Sequence, residues 1–109
     1  MTILVRESGA AQVVDVEGDV DLGTSPDLRR TLFDLMGKTP KLAVNLRKVR
    51  YIDSSGIATL IEVLKSTQRL PVEFVLFGLS PAVQDAFRLT HVNRIFRIVE
   101  TEEQALTPA

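Results

Sequence analysis

Short apolar runs alternate along this chain with segments whose apolar residues recur at helical spacing, and that alternation restricts the possible architectures more than any other feature. Leu28, Leu32, Leu35 and Met36 fall on one helical face. Ile57, Leu60, Ile61 and Leu64 match the i, i+3, i+4, i+7 template in full. Between them, Lys41 to Leu46 alternates Leu42, Val44 and Leu46 with Ala43 and Asn45, the pattern of a strand buried mainly on one side. Val72 to Phe77 is nearly all apolar, as expected of a central strand covered on both faces. Strands that alternate with helices imply crossover connections, hence a sheet with parallel central strands and helices placed by right-handed crossovers.

The remaining segments complete the order. Ile3 to Arg6 and Ala11 to Glu17 read as two strands of an antiparallel hairpin about Ser8-Gly9-Ala10, with Gly18-Asp19 breaking the second. The first helix starts at Ser25 as cap, Pro26 in the first helical position and Asp27 near the positive helix end; Gly37 and Pro40 close it. A loop is expected after Leu46, and a second helix from Asp53 to Gly56 onward. Pro81 opens a third helix using Val83, Ala86 and Phe87, and Ile95 to Ile98 is a last short strand. Thr101 and Gln104 form a capping-box pattern for a terminal helix that soon meets Pro108. The expected fold is a single α/β domain over residues 1–109, a mixed β-sheet with parallel central strands and about four helices in the order ββαβαβαβα.

Composition narrows the function classes. The 109 residues suit one domain, and 45% hydrophobic with 25% charged residues is the balance of a soluble globular protein. With no cysteine there is no thiol chemistry, zinc cluster or disulfide framework. A net charge of −1 provides no positive field to collect nucleic acid or anionic lipid. The N-terminus meets charge at Arg6, so it lacks the apolar core of a signal peptide, and no apolar run approaches a membrane span. The expectation is a soluble, cytoplasmic protein without direct nucleic-acid binding or membrane insertion. The glycines match neither a phosphate-binding P-loop nor a dinucleotide fingerprint, so no cofactor is expected.

Tyr51-Ile52-Asp53-Ser54-Ser55-Gly56-Ile57 carries the most chemical information. Two hydroxyls sit where a strand hands over to a helix, whose free N–H groups and dipole favour negative charge. A phosphoryl group there would meet favourable electrostatics and bring nearly two negative charges to a docking surface. On the segment alone, plain capping is the commoner reading, since Asp and Ser are ordinary N-cap residues. At 100° per residue, with the core stripe at 57, 60, 61 and 64, Ser54 falls beside the core edge. Ser55 falls almost opposite the core, in line with Thr59, Glu62 and Ser66, and is expected to be the more accessible of the two.

Ala43-Val44-Asn45-Leu46, Tyr51 to Ile57 and Leu60 together resemble the signature of STAS domains, specifically bacterial anti-sigma factor antagonists. Val16-Glu17-Gly18-Asp19-Val20-Asp21 is similar to that family's glycine-containing turn before the first helix. Phe77-Gly78 through Leu89-Thr90-His91-Val92 and Ile95-Phe96 resemble its C-terminal part, so the likeness covers almost the whole chain. It implies a partner switch. An ATP-dependent, GHKL-type serine kinase, itself often the anti-sigma factor, would phosphorylate the second serine of the motif, here Ser55. The unphosphorylated protein would bind the kinase and free the sigma factor; the phosphorylated form would let go, and a PP2C-type phosphatase would reset it. Asp21, Thr24, Asp53, Ser54, Gly56, Thr59, Glu62 and Ser66 are the expected partner-binding residues around it.

Competing readings are weaker. Asp19 and Asp21 with Asp53 match no calcium-loop spacing, and strand-end aspartates are mostly solvated turn residues, so no metal site is expected. His91 stands alone without cysteine, which leaves an exposed or capping role. Phe33 lies off the first helix's stripe and is expected to pack against a neighbour. The alternative function is a STAS accessory subunit docked on an ABC-transporter ATPase, which would use the same helix as a static face; retention of both serines favours the switch. A hydrolase using Ser54 or Ser55 lacks a paired base, so no catalytic residue is assigned. The purified chain is therefore expected to hydrolyse neither nucleotides nor esters, and turnover abolished by Ser55→Ala would overturn that expectation.

Overall fold

A computed structural model describes residues 1–108. The elements follow the expected order: β1 (Thr2–Ser8), β2 (Ala11–Val20), α1 (Ser25–Met36), β3 (Lys41–Ile52), α2 (Ser54–Thr67), β4 (Glu73–Phe77), α3 (Pro81–Leu89), β5 (Arg97–Val99) and α4 (Glu102–Leu106). The sheet order is β1-β2-β3-β4-β5. β1 pairs antiparallel with β2 and every later neighbour is parallel. Because the parallel strands advance in one direction, right-handed crossovers put α1, α2 and α3 on the same face.

Side-chain alternation builds the two faces. Val14, Val16, Leu42, Val44, Leu46, Phe74 and Leu76 point into the main core, where they meet Leu28 and Leu32 of α1, Ile57 and Leu60 of α2, and Val83 and Phe87 of α3. Their odd-numbered neighbours Val13, Ala43, Val75 and Phe77 face the other way and are covered by Ala105 of α4. β4 is thus covered on both faces, as its continuous apolar run implies. Arg6 of β1 bridges Asp15 of β2 and Glu102 of α4, which holds the small terminal helix against the hairpin.

Three boundaries differ from the sequence expectation. Gly18-Asp19 does not end β2; Gly18 takes φ +99° and the strand runs on to Val20, with β3 carrying an extra residue opposite the Gly18-Asp19 step. No loop follows Leu46, because β3 continues to Ile52 beside that extension, burying Val49 and Ile52 while Arg47, Lys48, Arg50 and Tyr51 face solvent. A two-stranded ribbon with so many exposed charges carries a loop-like composition. The last strand starts at Arg97, since Phe96 turns inward to stack on Phe87, ring centroids 5.4 Å apart.

His91 has the capping role that its isolation suggested. It follows the C-cap Thr90 of α3 with φ 58°; its amide donates to the Arg88 carbonyl and the Val92 amide to Phe87. That paired pattern is a Schellman motif, whose left-handed position favours glycine. His91→Gly should therefore stabilise the fold by about 1 kcal/mol, measured by denaturant unfolding; an unchanged midpoint would contradict it.

Candidate functional site

Two strand ends and two helix starts meet at one end of the sheet. β2 and β3 finish side by side, Val20 opposite Ile52, and the Asp53 amide donates to the Val20 carbonyl at 3.1 Å. The loop from Asp21 to Thr24 before α1 and the Asp53 corner before α2 are therefore neighbours.

Asp53 is the N-cap of α2. Its Oδ1 accepts from the Ser55 amide at 2.9 Å, the Gly56 amide at 3.2 Å and the Ser55 hydroxyl at 2.5 Å. These donors, the hydroxyl foremost, hold the carboxyl below the ordinary carboxylate range against the opposing effect of burial. Asp21 organises the other loop. Its Oδ1 accepts from the Gly23 amide at 3.0 Å and the Thr24 amide at 3.1 Å. Its carbonyl accepts from the amides of Thr24 at 3.1 Å and Ser25 at 2.7 Å, and from the Ser25 hydroxyl at 2.6 Å. Thr24, rather than Ser25, occupies the N-cap position of α1, yet its hydroxyl caps nothing there. It instead donates to the Asp19 carbonyl at 2.8 Å and accepts from the Asp21 amide at 2.9 Å. So tied, the loop holds Leu22 at its apex with 78% of the residue exposed.

Ser25 is buried, and its Oγ lies 3.0 Å from Ser55 Oγ, so the two loops share a hydroxyl–hydroxyl contact. One turn further along, Arg29 of α1 reaches Glu62 of α2 through Nε at 2.9 Å and Nη2 at 2.5 Å. This pairing pulls the Glu62 carboxyl below its usual range and raises Arg29. Arg29 also lies 4.6 Å over the Phe33 ring, and Phe33 packs against the core as expected.

The helical-wheel expectation for the two serines is reversed. Ser54 is exposed, as is Ala58 on the same side, whereas Ser55 is half-buried. The stripe read as open to partners, Ser55, Thr59, Glu62 and Ser66, faces α1: Thr59 is 6% exposed, Glu62 is bridged to Arg29, and Ser66 is half-buried. The buried set of α2 is Gly56, Ile57, Thr59, Leu60, Val63 and Thr67, with Ile61 and Leu64 only partly covered. α2 packs on the sheet and on α1 together, so its buried arc is rotated toward α1. Ser66 also lies eleven residues along the helix from Ser55, about 16 Å away.

Of the expected partner-binding residues, Asp21, Thr24, Asp53, Ser54 and Gly56 gather at the end of the sheet around Ser55, the expected phosphorylation site. Asp19 pairs with Arg50 at 3.5 Å, Asp21 turns a loop and Asp53 caps a helix, so the three aspartates serve separate purposes. Leu22, Ser25 and Arg29 belong to the site, although the sequence singled out only Ser25, and that as a helix cap. Asp21-Leu22-Gly23-Thr24 contains a recognisable Asx-turn signal for the first, while the others depend on how α1 and α2 pair.

The family model described as STAS domain matches residues 2–105. The chain belongs to the STAS-domain family of anti-sigma factor antagonists. It is 32% identical over 104 residues to the anti-sigma-B factor antagonist of Listeria monocytogenes, covering 94% of this chain and 91% of that one. Among solved structures, an anti-sigma factor antagonist from Mycobacterium paratuberculosis superposes with a TM-score of 0.87 at 25% identity, covering 96% of this chain and 90% of its own. SpoIIAA, an anti-sigma factor antagonist solved unphosphorylated, shares the fold with a TM-score of 0.80 at 17% identity, covering 96% and 93%. Among the described residues, no helix is long and apolar enough to cross a membrane.

Two variants probe the site's construction. A Cβ at Gly56 would lie 2.8 Å from Ile52 Cγ1 and 2.8 Å from Val20 Cγ1, both on β-branched side chains. Gly56→Ala should cost about 1–3 kcal/mol, and an unchanged unfolding midpoint would show that the strand ends give way freely. Asp53→Ala should cost about 1 kcal/mol at neutral pH by removing the cap. Because the folded Asp53 carboxyl lies below the free value of 3.8, its contribution is present above that pH and is lost as pH falls through the folded pKa. The wild-type advantage over Asp53→Ala should therefore shrink below about pH 4; an advantage that grew on acidification would have the wrong sign.

Proposed function

We propose that this chain is a phosphorylation-controlled antagonist of an anti-sigma factor, and that Ser55 is its phosphate acceptor. The observation that carries the reading is the Ser55 hydroxyl, held 2.5 Å from the Asp53 carboxylate at the start of α2 and bordered by the rigid Asp21–Thr24 loop. A fixed acceptor hydroxyl suits phosphoryl transfer, which depends on positioning more than on proton removal. Its position as the second serine of the motif supports the assignment. Exposure does not, since Ser54 is the more open of the two.

The chemistry belongs to the partner. A GHKL-type serine kinase that is also the anti-sigma factor supplies ATP. The γ-phosphorus bonds to Ser55 Oγ, its bond to the leaving ADP oxygen breaks, and the hydroxyl proton passes to solvent. A PP2C-type phosphatase reverses the modification by hydrolysis. This chain is a substrate and ligand in the cytoplasm, not an enzyme: a carboxylate held below its ordinary range is a weak base, and no histidine accompanies it. The docking surface is Leu22 with Asp21, Ser54 and the edge where α1 meets α2. An exposed leucine on a fixed loop is a side chain that a partner can desolvate at little ordering cost.

Phosphate introduced by the kinase should map to Ser55, persist in Ser54→Ala and vanish in Ser55→Ala; phosphate on Ser54 would sink the assignment. Ser55→Asp should weaken partner binding by more than a hundredfold, because an unpaired charge in a desolvated interface costs several kcal/mol. The same change sets a second carboxylate beside Asp53, opposing the roughly 0.3–1 kcal/mol that an acid gains at a helix N-terminus. The fold should therefore lose little stability. Calorimetry against the partner, with thermal unfolding of the variant alone, separates the two effects. Tight binding by folded Ser55→Asp would exclude electrostatic release.

A further inference from the structure

Four oxygens form a chain across the site: the Asp21 carbonyl, Ser25 Oγ, Ser55 Oγ and Asp53 Oδ1. The successive separations are 2.6, 3.0 and 2.5 Å. The carbonyl and the ionised carboxylate can only accept, and each hydroxyl has a single proton. Three contacts are thus served by two protons. The two outer contacts are the shorter, which places the Ser25 proton on Asp21 and the Ser55 proton on Asp53 and leaves the central contact with none. Ser25 is buried, so no bulk solvent competes for its hydroxyl, and the Asp21 carbonyl has two amide donors besides. The Ser25 proton can leave that carbonyl without stranding it.

We infer that Ser25 is a positioning residue for the modified state: its hydroxyl turns from the Asp21 carbonyl to a phosphoryl oxygen on Ser55 and so couples that phosphate to the loop bearing Leu22. The inference rests on Ser55 being the phosphate acceptor. Modification replaces the Ser55 hydroxyl proton with phosphorus, which removes the donor to Asp53 and sets anionic oxygens near a carboxylate. Repulsion from Asp53 turns the phosphoryl group away from it, and the adjacent donor on the other side is Ser25. A phosphoryl oxygen is a stronger acceptor than a neutral carbonyl, so the Ser25 proton moves to it. The Asp21 carbonyl then keeps its amide donors from Thr24 and Ser25 but loses its shortest contact, and the loop from Asp21 to Thr24 registers the loss.

The test needs no kinase. Phosphoserine is installed at position 55 by genetic encoding, in the wild-type chain and in Ser25→Ala and Ser25→Thr. The second ionisation of the phosphate is followed by phosphorus NMR, and the Gly23 and Thr24 amides by proton–nitrogen spectra. A donor to the dianion lowers its pKa, so Ser25→Ala should raise the midpoint by about half a unit, while Ser25→Thr keeps the wild-type value. Phosphorylation should shift the Gly23 and Thr24 amides more in the wild type and Ser25→Thr than in Ser25→Ala, where only the direct effect of the charge remains. Equal midpoints in wild type and Ser25→Ala, or a threonine variant that behaves like alanine, would overturn the role of Ser25. Failure of the switch itself is read separately, as absence of phosphate on Ser55 when the wild-type chain meets its kinase and ATP.

Discussion

The amide of Asp53 donates to the carbonyl of Val20, and the carboxylate of the same residue accepts from the first amides of α2. One residue thus joins the end of β2, the end of β3 and the start of the helix that follows. Without the register shifts by which β3 carries extra residues against β2 the two strands would not finish level, and Asp53 would not meet the Val20 carbonyl. Gly56 completes the joint, since it lies where Ile52 and Val20 leave no room for a side chain. The site is consequently built from backbone geometry that the core fixes, with Val20 and Leu60 wholly buried beneath it.

The pairing of α1 with α2 decides which hydroxyl occupies which environment. A helix packed on a sheet alone buries one stripe, whereas a helix packed on a sheet and on a neighbour buries a wider arc. In α2 that arc takes in Gly56, Thr59 and Val63 as well as Ile57 and Leu60. Thr59 lies one turn from both Ser55 and Glu62, the residues through which α2 meets Ser25 and Arg29 of α1. Ser55 is therefore drawn into a hydrogen-bonded setting while Ser54 is left to solvent.

Most of the fold is legible in the sequence because its signals are local and agree with one another. The alternation in β3, the apolar run of β4, the prolines at the starts of α1 and α3 and the Thr101–Gln104 box each specify an element by near-neighbour chemistry. What escapes local reading depends on partners distant in sequence. The outer half of β3 is a strand only because β2 lies beside it, and its exposed Arg47, Lys48 and Arg50 carry no such signal. The orientation of Ser55 escapes for the same reason. A wheel drawn from Ile57, Leu60, Ile61 and Leu64 finds the sheet-facing direction, and no residue within α2 announces α1. The site's position is legible from the Asp53–Gly56 segment, but its inner wall is not, because Ser25 is thirty residues away in sequence from the serine it touches.

A surface that changes its charge without changing its fold needs its polar contacts kept apart from its packing, and that separation is present here. The main core closes over side chains such as Leu28, Leu32, Leu60 and Phe87 that do not include the hydroxyls or carboxylates of the loops. Backbone joins the loops to the strand ends in the Asp53–Val20 bond, and the Asp21–Ser25 turn is likewise closed by backbone. A charge added at Ser55 acts at contact range on Asp53 and Ser25. Beyond roughly a Debye length of 8–10 Å it is screened from the rest of the surface. The two energies differ in scale accordingly. Within the free protein the new charge meets water, helix amides and one repelling carboxylate, terms of about 1 kcal/mol that partly cancel. Within a docked interface the same charge has lost its water and has no designed partner, a penalty of several kcal/mol. In the proposed switch, the asymmetry between those two environments, more than any rearrangement of the chain, is what would let a single hydroxyl at the start of α2 govern association.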